Sequence, residues 1–271
     1  GGMSEVMKQL KENPPEGWTA SLVNSHSEHG IIRKILAWRR ARRDILQLIK
    51  EGGVNLAHVH VTHSMSWWRK RNLMRVFSKH DIPIIVHIHS GKFQDFCRSF
   101  AGRSVRHELS KDYRKTVVLE DRWLEMLGEW IPDDSMVVPN FVVRKRAVIN
   151  KSKIGNPIVL LLLSRADRIK GRDLAIRVVE ELNSRGVESK LRVTGSLTDK
   201  GGGNGFLEEL GWVEEDEKIE LMSDADFLLS PSLYEGSSMT VIEGIVHGIP
   251  CICSKASEET IGVSSLVVDS S

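Results

Sequence analysis

The residues from Ile158 to Leu163 are all apolar. A run without alternation is what a strand needs when both its faces are covered, as in the middle of a parallel sheet. It is far too short to cross a bilayer as a helix. Related short runs occur at Val54 to Val61, Ile84 to His89, Thr116 to Leu119 and Met136 to Val138, and again at Lys190 to Val193, Phe227 to Leu229 and Ile249 to Cys253. Helical segments fall between them, at Met65 to His80, Asp121 to Leu127, Arg172 to Ser184 and Met239 to His247. Strands alternating with helices predict an α/β protein with parallel sheets and crossover helices. The pattern breaks once, from Arg144 to Pro157, where the chain is basic and aperiodic and ends in Gly155-Asn156-Pro157. Two doubly wound domains are therefore expected, residues 1–147 and 148–271.

The 271 residues carry a net charge of +2, which argues against a dedicated nucleic-acid binder. The 41% apolar content is ample for two cores. Three scattered cysteines, Cys97, Cys251 and Cys253, form no metal-type pair and read as reduced thiols, so a cytoplasmic protein is expected. No signal-peptide pattern opens the chain.

In open parallel sheets, ligands bind beyond the carboxyl ends of the strands. One such strand end leads into Pro231-Ser232-Leu233-Tyr234-Glu235-Gly236-Ser237-Ser238-Met239-Thr240-Val241-Ile242-Glu243-Gly244. A helix start presents unpaired N–H groups and the positive end of the helix dipole, which together attract an anion. Gly236 lets the backbone approach a ligand. The hydroxyls of Ser237, Ser238 and Thr240 are further donors. Glu235 and Glu243 suit the vicinal hydroxyls of a sugar. Anion donors flanked by two carboxylates fit a sugar joined to a diphosphate. Taken alone, the same residues also describe a capped helix with surface glutamates. A second strand end, Ser164-Arg165-Ala166-Asp167-Arg168-Ile169-Lys170-Gly171, places Arg165 and Lys170 where two cations can clamp a diphosphate. Solvated loop charges are the alternative.

His58, His60 and His63 precede His87 and His89 at two further strand ends. Their spacing along the chain fits no compact zinc site, and alternate residues of a strand share a face, so core or rim roles are expected. Asp224-Ala225-Asp226 has the form of a metal-binding Asp-x-Asp, but it precedes a buried strand rather than following one. A capping or turn role is expected there.

Together these segments resemble the family 4 retaining glycosyltransferases of the GT-B fold, which have two Rossmann-like domains facing a central cleft. The resemblance rests on Pro231 to Pro250, on Ser164-Arg165 with Lys170-Gly171, on Val138-Pro139-Asn140, on His87-Ile88-His89-Ser90-Gly91 and on Gly1-Gly2-Met3-Ser4. It is strongest over residues 158–254. It implies transfer of a sugar from a nucleotide-sugar, with the acceptor on the side of the first domain and the nucleotide-sugar on the second. It also implies roles. Arg165 and Lys170 would neutralise the donor diphosphate in place of a metal, with no cofactor. Glu243 would bind the ribose. Glu235, with the backbone at Ser238 and Met239, would hold the transferred sugar, and His89 would contact it. Gly2 would approach the phosphates, and Gly195 with Trp212-Val213 would border the base. The family pattern also leads one to expect a strand before Gly1 and closing helices after Val268.

Ile31 to Arg43 combines helical periodicity with a cationic face, and Trp67-Trp68-Arg69-Lys70-Arg71 adds aromatics. This pattern suits an anionic membrane surface presenting a lipid-linked acceptor, and equally a solvated helix over an ordinary core. The expected partners are a nucleotide-sugar donor and a glycan or lipid-linked acceptor, without nucleic acid. An epimerase of the same fold and a non-catalytic sugar-nucleotide-binding protein at a membrane are the other readings.

Overall fold

The computed structural model describes residues 2–27, 30–143, 153–165, 167–195, 205–262 and 266–268. The chain forms two compact units, Gly1–Pro139 and Asn140–Ser271. The expected junction at 147/148 lies outside the described residues.

Unit 1 begins with helices α1 (Gly2–Glu12) and α2 (Ile31–Lys50), then alternates β1 (Ala57–Val61), α3 (Met65–Ser78), β2 (Ile84–Ile88), α4 (Phe93–Phe96), α5 (Gly102–Leu109), β3 (Arg114–Val118), α6 (Asp121–Leu127) and β4 (Met136–Val137). The four strands are parallel in the order β1-β2-β3-β4. Val59, Val61, Val86 and Ile88 are buried β-branched residues that favour the extended backbone. Helix α3 buries Trp67, Leu73, Met74, Val76 and Phe77, a stripe at helical spacing. It stops at Ser78, ahead of Asp81 with φ +54° and Pro83, neither of which continues a helix.

Trp67 belongs to this core, and Trp68 packs at its edge. Trp67 is fully buried, edge-on to Phe93 at 5.8 Å between ring centroids. Trp68 stacks on Phe100, and the Arg71 guanidinium lies 5.7 Å from its centroid. An apolar ring next to a core position gains more from burial than from solvent. One charged cluster is also interior. The wholly buried Glu108 carboxylate accepts from Arg71 at 3.2 Å and Lys111 at 3.0 Å and pairs with Arg114, itself 1% exposed. Burial works against the charge of Glu108, but its hydrogen bonds from Arg114, Lys111 and Arg71 win and hold its pKa below the ordinary glutamate value.

Unit 2 contains β5 (Ile158–Leu162), α7 (Arg172–Ser184), β6 (Ser189–Val193), β7 (Leu207–Glu209), α8 (Glu215–Asp224), β8 (Phe227–Ser230), α9 (Met239–His247), β9 (Cys251–Ser254), α10 (Glu258–Ile261) and β10 (Leu266–Val268). All six strands are parallel, in the order β10-β9-β8-β5-β6-β7. Strand β5 lies between two layers. Leu161 packs with Ile219, Met222 and Val241 from α8 and α9, while Leu160 and Leu162 pack with Ala175 and Val179 of α7. That is why its sequence shows no alternation. Burying each leucine contributes about 1.5–3 kcal/mol.

Helices α7 and α9 have the bounds expected from their periodicity. The close approach of α9 to the sheet requires Gly244, where a Cβ would come within 2.5 Å of Cys251 Sγ and 2.7 Å of Leu228 Cδ2. Asp226 is a clamp, with Oδ1 accepting from the Gly155 N–H at 3.0 Å and Oδ2 from the Val159 N–H at 2.7 Å. It anchors the entry of β5. The three thiols are buried and free, and burial pushes Cys97 up to about 12. No helix among the described residues is long and apolar enough to cross a membrane.

Candidate functional site

In unit 2 the chain winds from β5 to β6 and β7, then returns to place β8 on the other side of β5. This reversal makes the carboxyl ends of β5 and β8 the topological switch point, where open sheets bind ligands. The two segments singled out in the sequence leave these two neighbouring strands. One runs from Ser164 and Arg165 to Lys170. The other runs from Pro231 through Gly236 into α9.

The two loops lock together. The Leu233 N–H donates to the Ile169 carbonyl at 2.8 Å. Gly171 has φ +72°, and a Cβ there would lie 2.1 Å from the Pro231 oxygen. Only glycine meets both demands. Lys170 Nζ donates to Glu235 Oε1 at 2.7 Å, so one cation and one carboxylate expected from sequence form a direct pair. Arg165 is exposed beside them.

Glu243, 9% exposed on α9, has a partner that sequence reading missed. Lys218 of α8 donates to Glu243 Oε1 at 2.8 Å and lies 2.8 Å from Glu215 Oε2. Burial opposes the charge on Lys218, but Glu243 and Glu215 outweigh it and hold its pKa above the ordinary lysine value. The run Glu214-Glu215-Asp216-Glu217 reads as surface acid. A lone lysine one helical turn after Glu214 was the available signal.

The start of α9 is more committed to the protein than its sequence suggests. The Ser238 N–H donates to Thr260 Oγ1 at 3.2 Å, and Thr240 Oγ1 donates to the Leu163 carbonyl at 3.3 Å. Both groups strap α9 in place. The Ser237 carbonyl accepts from Asn140 Nδ2 at 3.4 Å. Gly236 is buried, while Ser237 and Met239 are partly exposed. The N–H groups of the first turn, from Met239 onward, have no partner within the helix.

Gly195, with φ +67°, lies against the end of β5, where a Cβ would sit 2.1 Å from the Ser164 oxygen and 2.8 Å from Arg165 Cα. Its N–H donates to the Gly211 carbonyl, which brings it next to Trp212, 62% exposed, and Val213. The residues expected around a base thus share the edge that carries Arg165. In unit 1, Gly2 is the exposed first residue of α1.

His89 belongs to an array that the sequence spacing hides. The parallel register sets His60 opposite His87. His58, His60, His87 and His89 then share one side of the sheet, with neighbouring ring centroids 4.2–5.4 Å apart. His58 Nε2 is 3.2 Å from His87 Nδ1, and His60 Nδ1 is 2.8 Å from His89 Nε2. His63 Nδ1 lies 2.6 Å from Ser90 Oγ. Burial is the main force holding these imidazoles neutral, and the neighbouring rings add to it. It lowers His87 to about 2 and His89 to about 3, and it lowers His58 and His60 as well.

Residues 157–271 match the family model described as Glycosyl transferases group 1. Over that span the second unit is similar to the group 1 glycosyltransferases. The chain is 31% identical over 75 residues to the O-antigen chain mannosyltransferase B of Escherichia coli, covering 27% of this chain and 20% of that protein. It is 26% identical over 274 residues to the putative glycosyltransferase EpsF of Bacillus subtilis (strain 168), covering 96% of this chain and 67% of that one. The chain thus spans one fifth and about two thirds of these two relatives. Among solved structures it is similar to the sucrose-phosphate synthase of Thermosynechococcus elongatus, with TM-score 0.73 and 14% identity, covering 99% of this chain and 80% of that one. That likeness shows the fold as GT-B.

Proposed function

We propose that the protein is a family 4 retaining glycosyltransferase that moves a sugar from a nucleotide diphosphate-sugar to a glycan or lipid-linked acceptor, in the assembly of a polysaccharide or related glycan. The observation that carries this reading is the meeting of two loops at the switch point, with Lys170 and Glu235 paired at 2.7 Å and the start of α9 beside them. In this reading Arg165, Lys170 and the first-turn N–H groups of α9 hold the donor diphosphate without a metal. Glu243, oriented by Lys218, accepts from the ribose hydroxyls. Glu235 accepts from the transferred sugar, with the backbone around Gly236, Ser237 and Met239 lining its place. Gly195, Trp212 and Val213 border the base. Gly2 approaches the phosphates, and His89 contacts the sugar.

The chemistry follows from that charge distribution. As the anomeric carbon–oxygen bond breaks, negative charge grows on the diphosphate, and preformed cations and N–H groups stabilise it. The acceptor hydroxyl oxygen bonds to the anomeric carbon on the same face, and its proton passes to a donor phosphate oxygen. Retention then needs no covalent enzyme intermediate, in keeping with carboxylates already engaged with Lys170 and Lys218.

Helix α2 favours a membrane-surface position. Ile31, Ile32, Ile35 and Leu36 are exposed at its start, amid exposed Arg33, Lys34, Arg39 and Arg40. Each cation near an anionic surface contributes roughly 1 kcal/mol. Sedimentation with anionic vesicles at low salt is the expected result, and its absence removes this part of the reading.

Thermal-shift measurements with UDP, GDP and ADP and their sugars identify the donor, because a ligand of the folded state raises the melting temperature. One nucleotide series is expected to stabilise the protein. Lys170→Ala and Glu243→Gln are expected to lose that shift. Unchanged nucleotide-diphosphate affinity in both variants refutes the site. Donor turnover with no acceptor present identifies an epimerase instead.

A further inference from the structure

We propose that His58, His60 and His87 form a binding site for one divalent transition-metal ion of the imidazole-preferring kind, such as zinc, nickel or copper. Each ring offers a nitrogen, and these nitrogens lie within 4.8 Å of one another. The shortest separation, 3.2 Å between His58 Nε2 and His87 Nδ1, is near the roughly 3.3 Å expected for two nitrogens on a tetrahedral ion with bonds of about 2.0–2.1 Å. The remaining nitrogens reach bonding distance by small ring rotations rather than backbone movement, because register fixes the three Cα positions.

Two further features favour an ion. His58 is exposed while His60 and His87 are buried, so the cluster opens to solvent at one end and is fixed at the other. The His87 ring is already held, through a hydrogen bond with the Val138 backbone, with its Nδ1 turned to His58. The nearby Lys70 acts on His60 as a charge; burial, and then the charge of Arg69, lower its own pKa to about 8, so it opposes an ion at neutral pH and least above pH 8. Three neutral ligands leave a fourth position for water or for His89, whose Nε2 lies 2.8 Å from His60 Nδ1.

This site is separate from the diphosphate cations and does not depend on the transferase reading. The test uses the tag-free full chain, stripped with chelator and titrated with Zn²⁺ by calorimetry and with Co²⁺ by visible absorption. A single equivalent of metal is expected, with the intense bands of four-coordinate cobalt and a higher melting temperature. His58→Ala removes an exposed ligand without disturbing the core and is expected to weaken binding at least about tenfold. His87→Gln should do the same, with folding checked by circular dichroism. His80→Ala and His107→Ala, at exposed positions outside the array, should bind as the parent does. No stoichiometric uptake, or uptake unaffected by His58→Ala, overturns the proposal.

Discussion

The two units meet the same architectural problem with opposite chemistry at their strand ends. In unit 2 the ends of β5 and β8 carry charge, with Lys170 against Glu235 and Arg165 exposed nearby. In unit 1 the ends of β1 and β2 carry neutral imidazoles held off protonation by burial. Unit 1 does hold a strong charge cluster, but around Glu108, beside the sheet, with the Glu108 carboxylate and Arg114 interior. An ion pair therefore has a different consequence in each place. At Glu108 it holds structure together. At Lys170, with side-chain exposures of 23% and 12% across the pair, it leaves its partners within reach of a ligand.

The largest effect is expected at Glu108. Glu108→Gln leaves Arg114 buried without its counter-charge and should destabilise unit 1 by about 3–5 kcal/mol in denaturant titration. The pH dependence has a definite sign. The folded pKa is depressed, so the stabilisation is present above the ordinary glutamate value and is lost as pH falls through the folded value. The variant should lose that acid-side slope. A variant as stable as the parent breaks the division drawn between the units.

Next comes the proposed donor site. Lys170→Ala and Glu243→Gln should weaken nucleotide-diphosphate binding roughly 10- to 100-fold, the scale of a charge-assisted contact, with little change in unfolding free energy. His89→Ala should keep donor affinity and lose transfer. If Lys170→Ala instead unfolds unit 2, its pair is structural like that of Glu108. A smaller effect is expected at Gly195. Alanine there meets the Ser164 oxygen and a positive φ, at about 1–3 kcal/mol of strain, seen as a lower melting temperature. The smallest is at Lys218. Its raised pKa gives stability that is complete below the ordinary lysine value of 10.5 and is lost as pH rises through the folded value. Lys218→Met should flatten the alkaline limb of unit 2 stability by about 1 kcal/mol.

Much of this was legible because it is local. The apolar run at β5 and the periodicity of α7 and α9 each act within one element, so their signals survive in a single sequence. The structure placed α9 over Met239–His247, the bounds its pattern predicts. Helix α1 and the short strands β7 and β10 were not foreseen, since a three-residue strand carries almost no periodicity. Asp226 read only as a capping or turn residue, although its carboxylate clamps Gly155 and Val159, about 70 positions earlier in the chain.

The sequence by itself determined that strands and helices alternate, that two segments at strand ends carry the cations, carboxylates and glycines of an anion site, and that histidines gather near two strands. Tertiary structure decided which of these meet. Strand order put the Arg165 and Gly236 loops on neighbouring strands. Helix packing gave Glu243 its Lys218. Parallel register turned two histidine pairs 29 residues apart into one array. The physical reason is range. Propensity and burial patterns act over a few residues, whereas pairing and register depend on chain segments whose separation along the sequence says nothing about their separation in space.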